Sequence, residues 1–245
     1  MIETEVELTT PEGQMRTFVT RPDEGGPRPL VLFYMDAPGK REELHDMARR
    51  IATAGYAVML PNLYYREVPE YELDFRGGPD AMKHMFELMR TVTNDRVVAD
   101  TQALLDWADA QPGIDGQRVG CVGYCMSGPF ALCVAAAYPD RVRAAASVYG
   151  VRLAVDADDS PHRRLPEVRG ELYVAAAETD EYAPPEMIEA LQRAFDETRV
   201  NGRIEWYPGA HHGFAFPSRT GMYDKPSAER HWARLHALFR RNLSD

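Results

Sequence analysis

Positive charge is scarce in this sequence: 28 lysines and arginines stand against 38 aspartates and glutamates, a formal net charge of −10 over 245 residues. Nucleic acids and anionic membrane surfaces draw on clustered Lys and Arg, so both are disfavoured as partners. No uninterrupted apolar run approaches the roughly 20 residues of a spanning helix. The start, MIETEVELTT, has neither the basic opening nor the apolar centre of a signal peptide. Cysteine is also rare. Cys121, Cys125 and Cys133 lie in one short segment, odd in number and at no metal-ligand spacing, which argues against a disulfide framework and against a zinc site. A reduced, cytoplasmic protein is the expectation, with monomer and homodimer both left open.

What is present is ordinary globular material, 44% hydrophobic, enough for a sizeable core. Alternating segments around 3–9 and 14–20, joined by PEG, predict an antiparallel hairpin. LVLFYM (30–35) and YAVMLP (56–61) are continuous apolar runs, the pattern of strands buried on both faces. Between them Leu44, Met47, Ala48 and Ile51 recur at helical spacing. The stretch 62–78 has no clear period and reads as a loop over the sheet edge; 81–91 and 95–110 read as helices. RVGCVG, a helix from Met126, AAASVYG, ELYVAAAE, a helix from Pro185, RIEWYPG and a last helix from Lys225 continue the alternation. This regularity predicts an α/β fold: a mostly parallel central sheet with an N-terminal antiparallel hairpin and helices on both faces. Residues 1–245 are expected to form a single domain. The charged, proline-containing connection 151–170 could not supply the apolar underside of a large lid.

Ligands of such sheets collect at the carboxyl ends of the strands, and three reactive side chains fall there. In GYCMSG, Cys125 stands between small residues directly after an apolar run, in the manner of the G-x-S-x-G turn that mounts a hydrolase nucleophile. Asp180 follows ELYVAAAET, although Glu178 and Glu181 compete with it, and either His211 or His212 follows RIEWYPGA. Nucleophile, acid and histidine in that order match the α/β-hydrolase arrangement. Cys121 and Cys133 read as small buried hydrophobes. Ser127 fails as an alternative nucleophile because Pro129 occupies the position where a small residue is needed.

On these segments the chain resembles the dienelactone hydrolases, or carboxymethylenebutenolidases. GYCMSG resembles their cysteine elbow, YPGAHHGFAFP their histidine loop, VAAAETDEYAP their acid segment, and LPNLYYR their P-D-L-Y-x-R, with Asn62 where an acid is usual. The resemblance implies an α/β-hydrolase fold and selects Asp180 and His212. It also implies that Asp36, in FYMDAPG, contacts the resting thiol and helps it ionise. The backbone N–H groups of Ala37 and Met126 are then implied to form an oxyanion hole. Tyr124, Phe214, Phe216, Tyr65 and Arg66 are the substrate-binding candidates. The chemistry needs no metal and no organic cofactor, only a small-molecule ester or lactone and water. A catalytically silent or redox-responsive thiol protein is the competing class, disfavoured because a sensor thiol needs neither Asp180 nor His212.

Family members that cleave dienelactone hold its carboxylate partly through an arginine four residues after the catalytic histidine. Here that position is Phe216. Arg219 is expected to be a solvated loop charge unless PSRTG folds back, with Arg66 and Arg90 as other carboxylate partners. The expected substrate is therefore a neutral, partly apolar ester or lactone.

Overall fold

A computed structural model of the chain describes residues 1–244. Eight strands form one sheet: β1 (Ile2–Thr10), β2 (Gly13–Arg21), β3 (Arg28–Tyr34), β4 (Ala57–Pro61), β5 (Ile114–Tyr124), β6 (Val142–Val148), β7 (Glu171–Thr179) and β8 (Gly202–His211). Their spatial order is β1-β2-β4-β3-β5-β6-β7-β8. The hairpin β1–β2 is antiparallel and joins β4 antiparallel; every other pairing is parallel. The chain has an α/β-hydrolase-type fold. Leu30 to Tyr34 of β3 and all five residues of β4 are buried, as strands covered on both faces must be.

Six α-helices accompany the sheet among the described residues: α1 (Glu42–Ala52), α2 (Gly78–Thr91), α3 (Asn94–Asp109), α4 (Gly128–Ala137), α5 (Pro185–Thr198) and α6 (Lys225–Leu243). The predicted stripe Leu44, Met47, Ala48 and Ile51 is the buried face of α1. Arg50 of α1 bonds Glu229 of α6 and lies 4.5 Å over the Trp232 ring, so these two helices share a face of the sheet. One expectation shifts. The helix after the elbow begins at Gly128, not Met126, because Cys125–Ser127 first wind as a tighter 3-10 turn. In the connection 151–170, Pro161–Glu167 form a 3-10 helix. Among the described residues no helix is long and apolar enough to cross a membrane.

Candidate active site

The elbow begins where β5 ends, and crowding decides which residues it accepts. Cys125 has φ +56°, a left-handed conformation that is costly for any residue with a Cβ and common at functional turns. A Cβ at Gly123 would collide with the Ser127 carbonyl, and one at Gly128 with the backbone of Gly150 and the Ser147 hydroxyl. Glycine at both positions lets the turn close against the end of β6. The Ser127 hydroxyl donates to the Met35 carbonyl inside this turn, so it is a structural group here.

Asp180 and His212 meet from the ends of β7 and β8. The His212 Nδ1 to Asp180 Oδ2 distance is 2.8 Å, and Asp180 Oδ1 accepts the backbone N–H groups of Tyr182 and Ala183 at 2.9 and 3.1 Å. A carboxylate only accepts, so Nδ1 carries the proton and Nε2 is left for chemistry. Nε2 is buried with no hydrogen-bond partner, in a cavity that Cys125 also lines. Burial works against a charged His212. The Asp180 hydrogen bond and the nearby Cys125 outweigh it, and the imidazole is raised to about 10. The competing residues are placed elsewhere: Glu178 accepts the Gly209 N–H at 2.7 Å, while Glu181 and His211 are exposed.

Asp36 lines the same cavity, yet both its oxygens are engaged by arginines. Arg41 bonds Oδ1 at 2.5 Å and Oδ2 at 3.3 Å, and Arg219 bonds Oδ2 at 3.0 Å. Arg41 also bonds Glu43 at 2.7 Å, and Glu43 accepts the N–H and hydroxyl of Ser218 at 2.9 and 2.8 Å. Burial works against ionised Glu43, but the Ser218 bonds and Arg41 prevail and lower its pKa. These contacts tie the loop after β3 to the loop after His212. PSRTG therefore does fold back: Arg219 sits in the cavity wall with its side chain only 20% exposed, lying 4.7 Å from the Phe75 ring and 5.8 Å from Phe216. Its Nε has no partner.

One tyrosine braces both backbone candidates for the oxyanion. The Tyr64 hydroxyl donates to the Ala37 carbonyl at 2.8 Å and lies 3.4 Å from the Met126 sulfur. Asn62 positions that tyrosine: its amide donates to the carbonyls of Val68 and Pro69 at 3.2 and 2.9 Å, and its side-chain oxygen accepts the Tyr64 N–H at 3.1 Å. An acid here could not donate those two bonds, which gives the departure at Asn62 a physical reason.

The cavity has a volume of about 310 Å³. Of the five substrate-binding candidates only Phe216 lines it. The other four lie outside its lining. Tyr124 precedes the elbow, so strand alternation sends its ring away from Cys125, toward His231, whose Nε2 is 3.0 Å from the Tyr124 hydroxyl. Phe214 turns under the loop and stacks on Tyr207 at 4.9 Å. Tyr65 bonds Asp100 and Thr10 near the hairpin, and Arg66 is spent on Asp100 and Glu12. In their place the wall is built by Leu73, Phe75, Met82, Met85, Phe86 and Met89, from the 62–78 loop and α2, with Tyr149 and Tyr182 beside His212. Met82, Met85, Phe86 and Met89 fall at i, i+3, i+4 and i+7, a readable helical stripe that gave no sign of what it faced.

The dienelactone hydrolase family model matches residues 15–243. The carboxymethylenebutenolidase of Pseudomonas putida is 27% identical over 213 residues, covering 86% of each chain. A crystal structure described as a dienelactone hydrolase, from Klebsiella pneumoniae, superposes with a TM-score of 0.87 at 26% identity and covers 98% of both chains. With a match across this span and a shared architecture, the chain belongs to the dienelactone hydrolase family.

Proposed function

We propose that the protein hydrolyses carboxylic esters or lactones through a thioester on Cys125, with His212 as the proton carrier and Asp180 as its orienting acid. The observation that carries this reading is the convergence of Cys125 and a carboxylate-bound histidine, Nε2 unpartnered, on one cavity. The Cys125 thiolate attacks the carbonyl carbon and the carbonyl electron pair moves to oxygen, where the N–H groups of Ala37 and Met126 receive it. Collapse of this intermediate expels the alcohol oxygen, which takes a proton from His212 Nε2. His212 then removes a proton from water, hydroxide adds to the thioester, and the acid departs as the thiolate is restored. Burial and Asp180 keep the ring fixed through both transfers.

Asp36, its charge matched by two guanidinium groups, directly precedes Ala37 at the cavity edge, and Tyr64 holds the Ala37 carbonyl. A silent or redox-responsive thiol would need no Asp180–His212 pair, so the enzyme reading is preferred. Hydrolysis of short aryl esters, lactones and thioesters by wild type and Cys125→Ala tests it. We expect loss of at least three orders of magnitude in the variant and an acyl-enzyme mass adduct in wild type. Retention of more than about a tenth of the activity overturns the assignment.

A further inference from the structure

We propose that this site is built for uncharged esters or lactones carrying an apolar body long enough to run from Cys125 out to the cavity rim; the inference rests on the ester-hydrolase reading above. Two independent observations carry it.

The first is charge balance. Arg219, the more buried of the two arginines in the cavity wall, belongs to a quartet in which the carboxylates of Asp36 and Glu43 match the guanidinium groups of Arg41 and Arg219. A substrate carboxylate is best held by a bidentate fork of free N–H donors. Here one edge of the Arg219 guanidinium is already turned to Asp36 through Nη2, and the buried Nε–H beside it is a donor suited to a neutral oxygen. A carboxylate added beside the quartet would bring an unmatched negative charge into a poorly solvated pocket, which is costly. Arg152, the other wall arginine, is exposed to solvent, where its attraction is screened.

The second is the continuity of apolar surface. Met85, Phe86 and Met89 line the interior. Phe75, Met82, Tyr182 and Met222 also line the cavity, yet they are 53, 37, 49 and 46% exposed. These four side chains come from separate segments and gather at the mouth. Apolar groups clustered this way mark a surface meant to be covered, and thioethers accommodate bodies of varied shape. A substrate reaching them would remove both its own apolar surface and theirs from water.

The test is a series of p-nitrophenyl esters from acetate to decanoate, with mono-p-nitrophenyl adipate as the carboxylate-bearing partner of the hexanoate. We expect kcat/KM to rise about two- to fourfold per methylene until the chain passes the rim. Hexanoate should exceed the adipate half-ester by at least tenfold. Glu43→Gln should unbalance the quartet toward positive charge and shrink that hexanoate-to-adipate ratio at least threefold. Met85→Ser should flatten the chain-length slope. A flat or falling slope in wild type, or a preference for the half-ester, overturns the inference. Cys125→Ala run on the same esters separates the two readings. If it is inactive while the slope is flat, only the substrate class is wrong; if it stays active, the nucleophile is wrong.

Discussion

His212 and His231 lie on opposite sides of one aromatic cluster and are driven in opposite directions. Both are largely enclosed. His231 on α6 is completely buried; burial, with Arg50 adding to it, outweighs the hydrogen bond to the Ala228 carbonyl and pushes the ring down to about 3. Its Nδ1–H donates to that carbonyl at 2.5 Å, so Nε2 accepts from the Tyr124 hydroxyl. His212 has Asp180 and Cys125 beside it and is held at about 10. Enclosure by itself makes a histidine neutral; a charged partner at hydrogen-bond distance reverses the outcome. The surroundings differ in the same way. Behind the elbow the polar atoms of Tyr124 and His231 are matched, whereas the front leaves His212 Nε2, Arg219 Nε and the Tyr149 hydroxyl buried without partners.

The sharpest break of this comparison is His212→Ala, expected to lower kcat/KM at least a thousandfold, while His211→Ala stays within threefold because that ring is exposed. Equal losses from the two would mean that the neighbouring ring carries the protons. Asp180→Asn comes next: the amide can keep a hydrogen bond but removes the charge that holds His212 high. We expect a loss of about a hundredfold or more in kcat/KM, and an NMR titration should find the His212 ring deprotonating at lower pH than in wild type.

The two histidines should also leave opposite marks on stability against pH. The folded pKa of His212 is raised, so its contribution is complete below the unfolded value of about 6.5 and is lost as pH climbs toward 10. The folded pKa of His231 is depressed, so its contribution is present above about 6.5 and is lost as pH falls toward 3. Urea midpoints across pH for wild type, His212→Gln and His231→Phe would show the difference curves sloping in these opposite senses, and parallel curves would refute the contrast. At neutral pH His231→Phe strands the Tyr124 hydroxyl and should cost about 1–3 kcal/mol of stability. Its kcat/KM should fall less than tenfold. The smallest effect on turnover is expected from Arg66→Ala, within threefold, since that arginine is paired with Asp100 and Glu12 outside the cavity; a large rise in KM would return it to the substrate site.

The parts legible in the sequence are those with a local cause. Strands buried on both faces are apolar throughout, which exposes β3 and β4, and the elbow needs small residues next to Cys125 because its turn is tight. The order of Cys125, Asp180 and His212 follows the order of strand ends. What could not be read depends on contacts between distant segments. Asp36 and Arg219 are 183 positions apart, and nothing near either one announces the bond. Tyr124, Phe214, Tyr65 and Arg66 lie in or beside the motif segments, but backbone alternation and turns decide where a side chain goes. The Met82–Met85–Met89 stripe had a visible period and an invisible destination.

That stripe has a consequence for how the protein can change. Helix α2 contributes much of the cavity wall, yet only Met85 and Leu88 among its residues are buried, and it shares the crossover from β4 to β5 with the more deeply buried α3. The elbow tolerates almost nothing at Gly123 or Gly128, whereas α2 can be rewritten without moving Cys125. A library confined to residues 75–89 would therefore sample new selectivities on an unchanged reaction centre.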